Sequence, residues 1–381
     1  MRLPFFQRAL GLRAVPSSAT LRLRLDKIGP RLAELTDELL VPPLRRAKAA
    51  ITPLPMGHVA LDIDVFCMDN SGTRKEGVSR TYAGFDGYAP IAAYLGAEGW
   101  CLGLELRCGT HHSATETKYT LQRVVPRASA LTAAPILVRM DSGFDSHRLI
   151  GEVLKAGTAR QAEGGAAIDV LVKWNPRRQG REYVLSPLKA RTDLSFIECR
   201  AGKRQACWSE VIVRRIEAVE FRLQRYCRVT ERSIDRHGQQ LLITQWEIEG
   251  WETRLEQSTA DVIALYADHG THEQFHSEFK TDLDFERLPS GKFDTNDTAL
   301  SLAVLAHNGL RLIDQGALLG PDSPVRHPAN RRRPKTVIQE IIYRAATVIR
   351  HAGQCAQDFG LHCSAAAAFQ RLVNSWRTRL D

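Results

Sequence analysis

Apolar positions along this chain change period several times, and each change marks an element. Between Thr20 and Leu40, the residues Leu21, Leu25, Ile28, Leu32, Leu35 and Leu39 recur three and four apart. That spacing predicts one helical face, interrupted at Pro30. Pro42, Pro43, Pro53 and Pro55 then punctuate the step into His58–Phe66, where apolar residues alternate with Asp62 and Asp64. Alternation predicts a strand with both carboxylates on one side. Ala89–Leu95 and Trp100–Arg107 continue as an antiparallel meander. Ser113–Val125 predicts a helix, Pro135–Met140 a short apolar strand ending on Asp141, and Ser146–Ala156 a second helix. From about 158 to 250, runs such as IDVLVKW, REYVL and QLLITQWEIEG alternate with Arg- and Glu-rich stretches. Turn signals at Asn175-Pro176 and His237-Gly238 separate them, which predicts a β-rich insertion. Helical spacing returns over Thr259–Lys280 and Asp297–Gln315. A loop with Pro321, Pro324 and Pro328 leads to a basic helical tail over Thr336–Leu380.

Two predicted strands carry acids where their neighbours are Val, Ile, Leu and Met: Asp64 (with Asp62) and Asp141 (with Asp145). A lone carboxylate there costs several kcal/mol unless something compensates. A divalent cation compensates, and a two-metal phosphoryl-transfer site needs carboxylates converging from distant parts of a chain. The structural alternative is helix capping, and Asp145 is an ordinary cap position. The helix around Glu273 adds a pattern. Tyr266, His269, Glu273 and Lys280 share one helical stripe, which suits a metal and a phosphate backbone better than an apolar core.

Composition narrows the class. The 381 residues are 44% hydrophobic and 25% charged, which excludes a disordered or collagen-like chain. No apolar run reaches the roughly 18 residues of a membrane span. Lys plus Arg is 52 against 43 Asp plus Glu, a net charge of +9, and such a surplus suits nucleic acid. None of the eight cysteines forms a C-x2-C pair, which argues against a zinc ribbon. His111 and His112 lack metal-ligand spacing. A basic N-terminal helix, Arg331–Lys335 and the arginines of the tail are candidate DNA contacts.

At this point the chain resembles the DDE transposases of bacterial insertion sequences, in the group whose third motif reads Tyr-x2-Arg-x3-Glu-x6-Lys. LDID at 61–64 resembles the first-acid strand, RMDSGFDS at 139–146 the second-acid motif, and EQFHSEFKTDLDFERLPSGKFDTN at 273–296 the third-acid region. The match covers roughly residues 15 to 315. The acids stand 77 and 132 residues apart, and the second interval holds a β-rich insertion in this family. The resemblance implies an α/β fold: an RNase H-like catalytic domain, a mixed sheet flanked by helices, with helical N- and C-terminal parts. Its expected division is a helical N-terminal segment over 1–55, the catalytic domain over 56–157 and 256–320, the β-rich insertion over 158–255, and a basic helical tail over 321–381. It implies Asp64, Asp141 and Glu273 as catalytic metal ligands for Mg²⁺, with Mn²⁺ as a substitute. Asp62 stays open as the first acid. Tyr266, His269 and Lys280 would bind DNA. The expected activity is metal-dependent strand cleavage at element ends and strand transfer into target double-stranded DNA. A homodimer on DNA in the bacterial cytoplasm, at the nucleoid and away from membranes, goes with it. Two departures stand out. His269 replaces the motif's arginine and lacks its bidentate fork. Met1 also falls close to where the family's N-terminal segment is already under way. Both favour, as the alternative, a catalytically impaired DNA-binding remnant. A carboxylate-pair glycosidase is a third reading, which the arginine excess opposes.

Overall fold

The computed structural model describes residues 11, 13–176, 192–216, 219–319, 331–351, 354–360 and 362–380. The first ten residues, REYVL at 181–185 and the loop with Pro321, Pro324 and Pro328 lie outside them.

Strand β1 (Val59–Val65) sets the frame, because its two faces bury different partners. Val59, Leu61, Ile63 and Val65 join a core made with helix α3 (Thr117–Leu131) and helix α4 (His147–Ala162). Asp62 and Asp64 face the other side, as the period of two requires. Antiparallel β5 (Ile91–Leu95) flanks β1 on one edge, and β6 (Trp100–Glu105) pairs with β5. Parallel β7 (Ile136–Met140) flanks the other edge, followed by parallel β8 (Ile168–Lys173). A small separate sheet of β2 (Met68–Asp69), β3 (Ser79–Arg80) and β4 (Asp86–Tyr88) fills the excursion between β1 and β5.

The expected insertion does not begin a new sheet. β12 (Gln240–Thr253) pairs antiparallel with β8, and β11 (Val219–Ile234), β10 (Lys203–Ile216) and β9 (Ile197–Arg200) follow outward. The insertion strands thus extend the main sheet to nine strands, in the order β6-β5-β1-β7-β8-β12-β11-β10-β9. Its outer arginines are matched to glutamates on neighbouring strands: Arg204 with Glu231, Arg228 with Glu249 and Arg232 with Glu247.

Helix α1 (Ser18–Glu38) runs through position 30 without a break, with Ser17 capping its start. It packs on the later helix α7 (Phe293–Ala317), and α2 (Val41–Arg46) follows it. From Thr259 the chain is helical almost without pause. α5 (Thr259–Ala267) passes through a 3-10 turn, Asp268–Thr271, into α6 (His272–Ser277), which widens into a π turn over Glu278–Asp282. The tail is less helical than its sequence suggests. After α8 (Pro334–Val337), the strands β13 (Thr347–His351) and β14 (Gln354–Asp358) pair as a hairpin before α9 (Ala366–Leu380). The β-branched run Thr347-Val348-Ile349 favours a strand over a helix. No helix among the described residues is long and apolar enough to cross a membrane.

Candidate active site

A cleft of about 840 Å³ opens at the carboxyl end of β1 and β7. Asp64, Asp141, Glu273, Tyr266 and His269 all line it, as do Tyr82, His111, His112 and Ser113. Asp64 and Asp141 come together because β1 and β7 are adjacent and parallel, and the α5–α6 helix brings Glu273 to the same cleft.

Asp141 follows directly on β7. Its Oδ1 accepts from the Gly143 amide at 2.9 Å and so caps the short turn Ser142–Phe144. Burial raises its pKa, and the nearby charge of Asp64 raises it further. Two carboxylates that disfavour each other's charge suit a divalent cation between them. That observation fits the Mg²⁺ the sequence suggests. Glu273, on α6, is exposed on the rim of the cleft and makes no polar contact with either aspartate.

Asp62 has another role. It sits opposite Arg139 in the β1–β7 register, and Arg139 grips both of its oxygens, Nε at 2.6 Å and Nη2 at 2.7 Å. The same guanidinium donates through Nη1 to the Leu265 carbonyl at 2.6 Å. His269 Nδ1 lies 2.8 Å from Asp62 Oδ1. Burial alone would raise the pKa of Asp62, but Arg139 and His269 outweigh it and hold the carboxyl far below the usual range. Asp62 is therefore 2% exposed and saturated by protein partners, whereas Asp64 faces the cleft. Asp145 is buried too. It accepts from the Asn175 amide and from Arg214.

The other stripe residues divide. Tyr266 lines the cleft with its ring tilted on Trp251 and His269. Burial, then the charges of Asp141 and Asp64, raise its pKa and keep the phenol protonated. His269 is buried against Asp62, so Nδ1 is committed to that carboxylate. Lys280 lies in an adjoining cleft with Asp64, Tyr82 and Glu273. Its ammonium donates to the Cys67 carbonyl at 2.9 Å and pairs with Glu286 at 3.2 Å. The basic run after 330 is likewise occupied. Arg331 is buried among Gln274, Glu278 and the Ala97 carbonyl, and Arg333 grips Asp282.

Two residues outside the expected set stand closest to Asp64. His272 Nε2 is 2.5 Å from Asp64 Oδ2, and His276 Nδ1 is 4.0 Å from the same oxygen. Burial raises the pKa of Asp64, but the hydrogen bond to His272 and the nearby imidazoles of His272, His276 and His269 together more than offset it. The signal for this pair lies in the sequence as H-E-x-x-H over residues 272–276, overlapping the third-acid motif.

Residues 45–159 match the family model described as Transposase DDE domain group 1. The matched stretch contains Asp64 and Asp141, while Glu273 lies beyond it. No curated protein matches the chain. Among solved structures it is similar to one described as "Cryo-EM structure of piggyBac transposase synaptic complex with hairpin DNA (SNHP)", at 8% identity and a TM-score of 0.37. The alignment covers 87% of this chain and 55% of that one, so the chain spans about half of that protein's length.

Proposed function

We propose that this chain is a DDE transposase with an RNase H-like catalytic core, which cleaves DNA at element ends and transfers the strands to a target. The observation that carries the reading is the convergence of Asp64, Asp141 and Glu273 on one cleft from two parallel strand ends and a helix far along the chain. The match of residues 45–159 to a transposase DDE family supports it. So does the succession of β6, β5 and β1 antiparallel, then β7 and β8 parallel. Asp64, Asp141 and Glu273 are the residues that would hold Mg²⁺ or Mn²⁺. Bound there, the ions would activate the attacking hydroxyl and stabilise the leaving oxygen of a phosphodiester.

The chain's own groups do the rest. Asp141 keeps the Ser142–Phe144 turn in place through Gly143, which fixes its carboxylate at the strand end. Tyr266, protonated, offers a hydroxyl donor to a phosphate oxygen. Lys280 would reach the backbone from the adjoining cleft by leaving Glu286. His269 orients Asp62 and Arg139 and is a positioning residue, in place of the phosphate-binding role its motif position suggests. We place the partner as double-stranded DNA, bound by a homodimer that brings two ends together, in the bacterial cytoplasm at the nucleoid. The alternative, an impaired DNA-binding remnant, draws on Glu273 standing apart from both aspartates and on His269 in place of arginine.

A labelled duplex carrying the parent element's ends separates the two. Metal-dependent nicking by wild type that disappears in Asp141→Asn is the expected result. DNA binding with no nicking by either protein assigns the chain to the remnant.

A further inference from the structure

We infer that Asp64, His272 and His276 form a binding site for Zn²⁺, built from two imidazole nitrogens and one carboxylate oxygen. Residues 272–276 read H-E-Q-F-H, and α6 holds them in a helix. Histidines four apart on a helix stand on one face, one turn from each other. That face meets the end of β1. His272 Nε2 and His276 Nδ1 both point to Asp64 Oδ2, at 2.5 and 4.0 Å. One donor atom from each residue lies within 4.8 Å of the others. Zinc ligands at about 2.0–2.2 Å from a tetrahedral ion stand roughly 3.3 Å apart, so small side-chain adjustments suffice.

The supporting contacts have the form expected around a zinc histidine. His272 Nδ1 contacts the carbonyl oxygen of His269, which fixes the ring's orientation and leaves Nε2 for the ion. His276 is 6% exposed, stacked on Phe66 with ring centres 4.3 Å apart, and tilted against Tyr94. Neither of its nitrogens has a hydrogen bond among the described residues, and Nε2 is fully enclosed. A buried imidazole without a protein partner is uncommon. Nδ1, the nitrogen that faces Asp64, makes no hydrogen bond and is the one open to an ion, while Nε2 stays enclosed. The donor set also selects the ion: Mg²⁺ takes oxygen ligands and keeps its waters, whereas imidazole suits zinc and its first-row neighbours. The site stands on helix geometry and shares Asp64 with the proposed DNA-cleaving acids, so the two metals would draw on one carboxylate.

The test uses the full chain, freed of metal by a chelator, with Zn²⁺ alone as the probe and no DNA. Calorimetric titration is expected to show one Zn²⁺ per chain. X-ray absorption at the zinc edge should show the scattering of two imidazoles. His272→Gln and His276→Gln should each weaken binding at least about 10-fold, while Glu273→Gln stays within about two-fold. Absence of Zn²⁺ binding overturns the inference, as does binding lost in Glu273→Gln but kept in the histidine variants. If His276→Gln fails to fold, the wild-type spectrum decides alone, and fewer than two imidazoles overturns the site. Nicking of DNA is read separately, so either conclusion can fail without the other.

Discussion

Asp62 on β1 and Asp141 at the end of β7 have opposite surroundings, and mutation should separate them. Asp62 is enclosed by Arg139 and His269. Asp62→Asn leaves Arg139 buried without its counter-charge, which should cost about 3–5 kcal/mol in urea unfolding. Asp141 carries a charge that its surroundings disfavour. Asp141→Asn should therefore be neutral or stabilising by up to about 1 kcal/mol, even as it abolishes nicking. The sequence presents Asp62 and Asp64 as equals, because a period of two puts both on one side of β1. What tells them apart is Arg139 across the register, a pairing no local pattern announces. Asp314 supplies a pH signature. It is fully buried on α7, and burial pushes its pKa from 3.8 to about 6. A raised carboxyl favours the fold below its unfolded pKa, and that contribution is lost as pH climbs through about 6. Asn at 314 keeps an acceptor for the Arg332 amide but does not ionise. Asp314→Asn should match wild type near pH 4 and gain about 2–3 kcal/mol above pH 6 in thermal melts.

At the level of elements, the seat of α6 depends on a glycine. Gly99, in the turn between β5 and β6, has φ +71°, and a Cβ there would fall 2.3 Å from the Phe275 ring. Gly99→Ala should destabilise by about 2–4 kcal/mol, from overpacking and a left-handed backbone. It should also displace α6, seen as a loss of nicking larger than the stability loss explains. Elements with a strong period were readable: β1, β7, α4 and α7 stand where alternation or helical spacing puts them. The tail hairpin was not, because helix propensity over Thr336–Leu380 is uneven and pairing with a second strand decides β13. Nor does periodicity show that Arg331 and Arg333 turn inward. A run of arginines reads as solvated until its acidic partners, Glu278 and Asp282, are located in space.

The whole molecule is tied together more tightly than its domain-like sequence segments suggest. Arg214, on β10, stands four strands away from β7 in the sheet, roughly 19 Å at the usual spacing. It nevertheless pairs with Asp145, just past β7, at 3.2 Å, and with the fully buried Glu252. The sheet must coil back for this, and Arg214 closes the loop directly onto the end of the Ser142–Phe144 turn. Arg214→Ala should speed amide hydrogen exchange in residues 141–146 and in β10 together. Faster exchange in β10 alone would mean that the two are independent. Sequence reading found the insertion as β-rich, yet strand composition does not say whether strands start a new sheet or extend an old one.

The grip of the α5–α6 helix on β1 also has a meaning in time. His269 holds Asp62 and His272 holds Asp64, contacts that span more than 200 positions of chain. At about 5–20 residues per second, a ribosome needs roughly 10–40 s to go from the first aspartate to the histidines that seat on it. Through that interval both strand acids are already made, and of their partners only Arg139, on Asp62, is available. The cleft is thus a late product of synthesis, assembled in one step when the helix arrives, and a nascent chain stopped in the insertion has acids but no site.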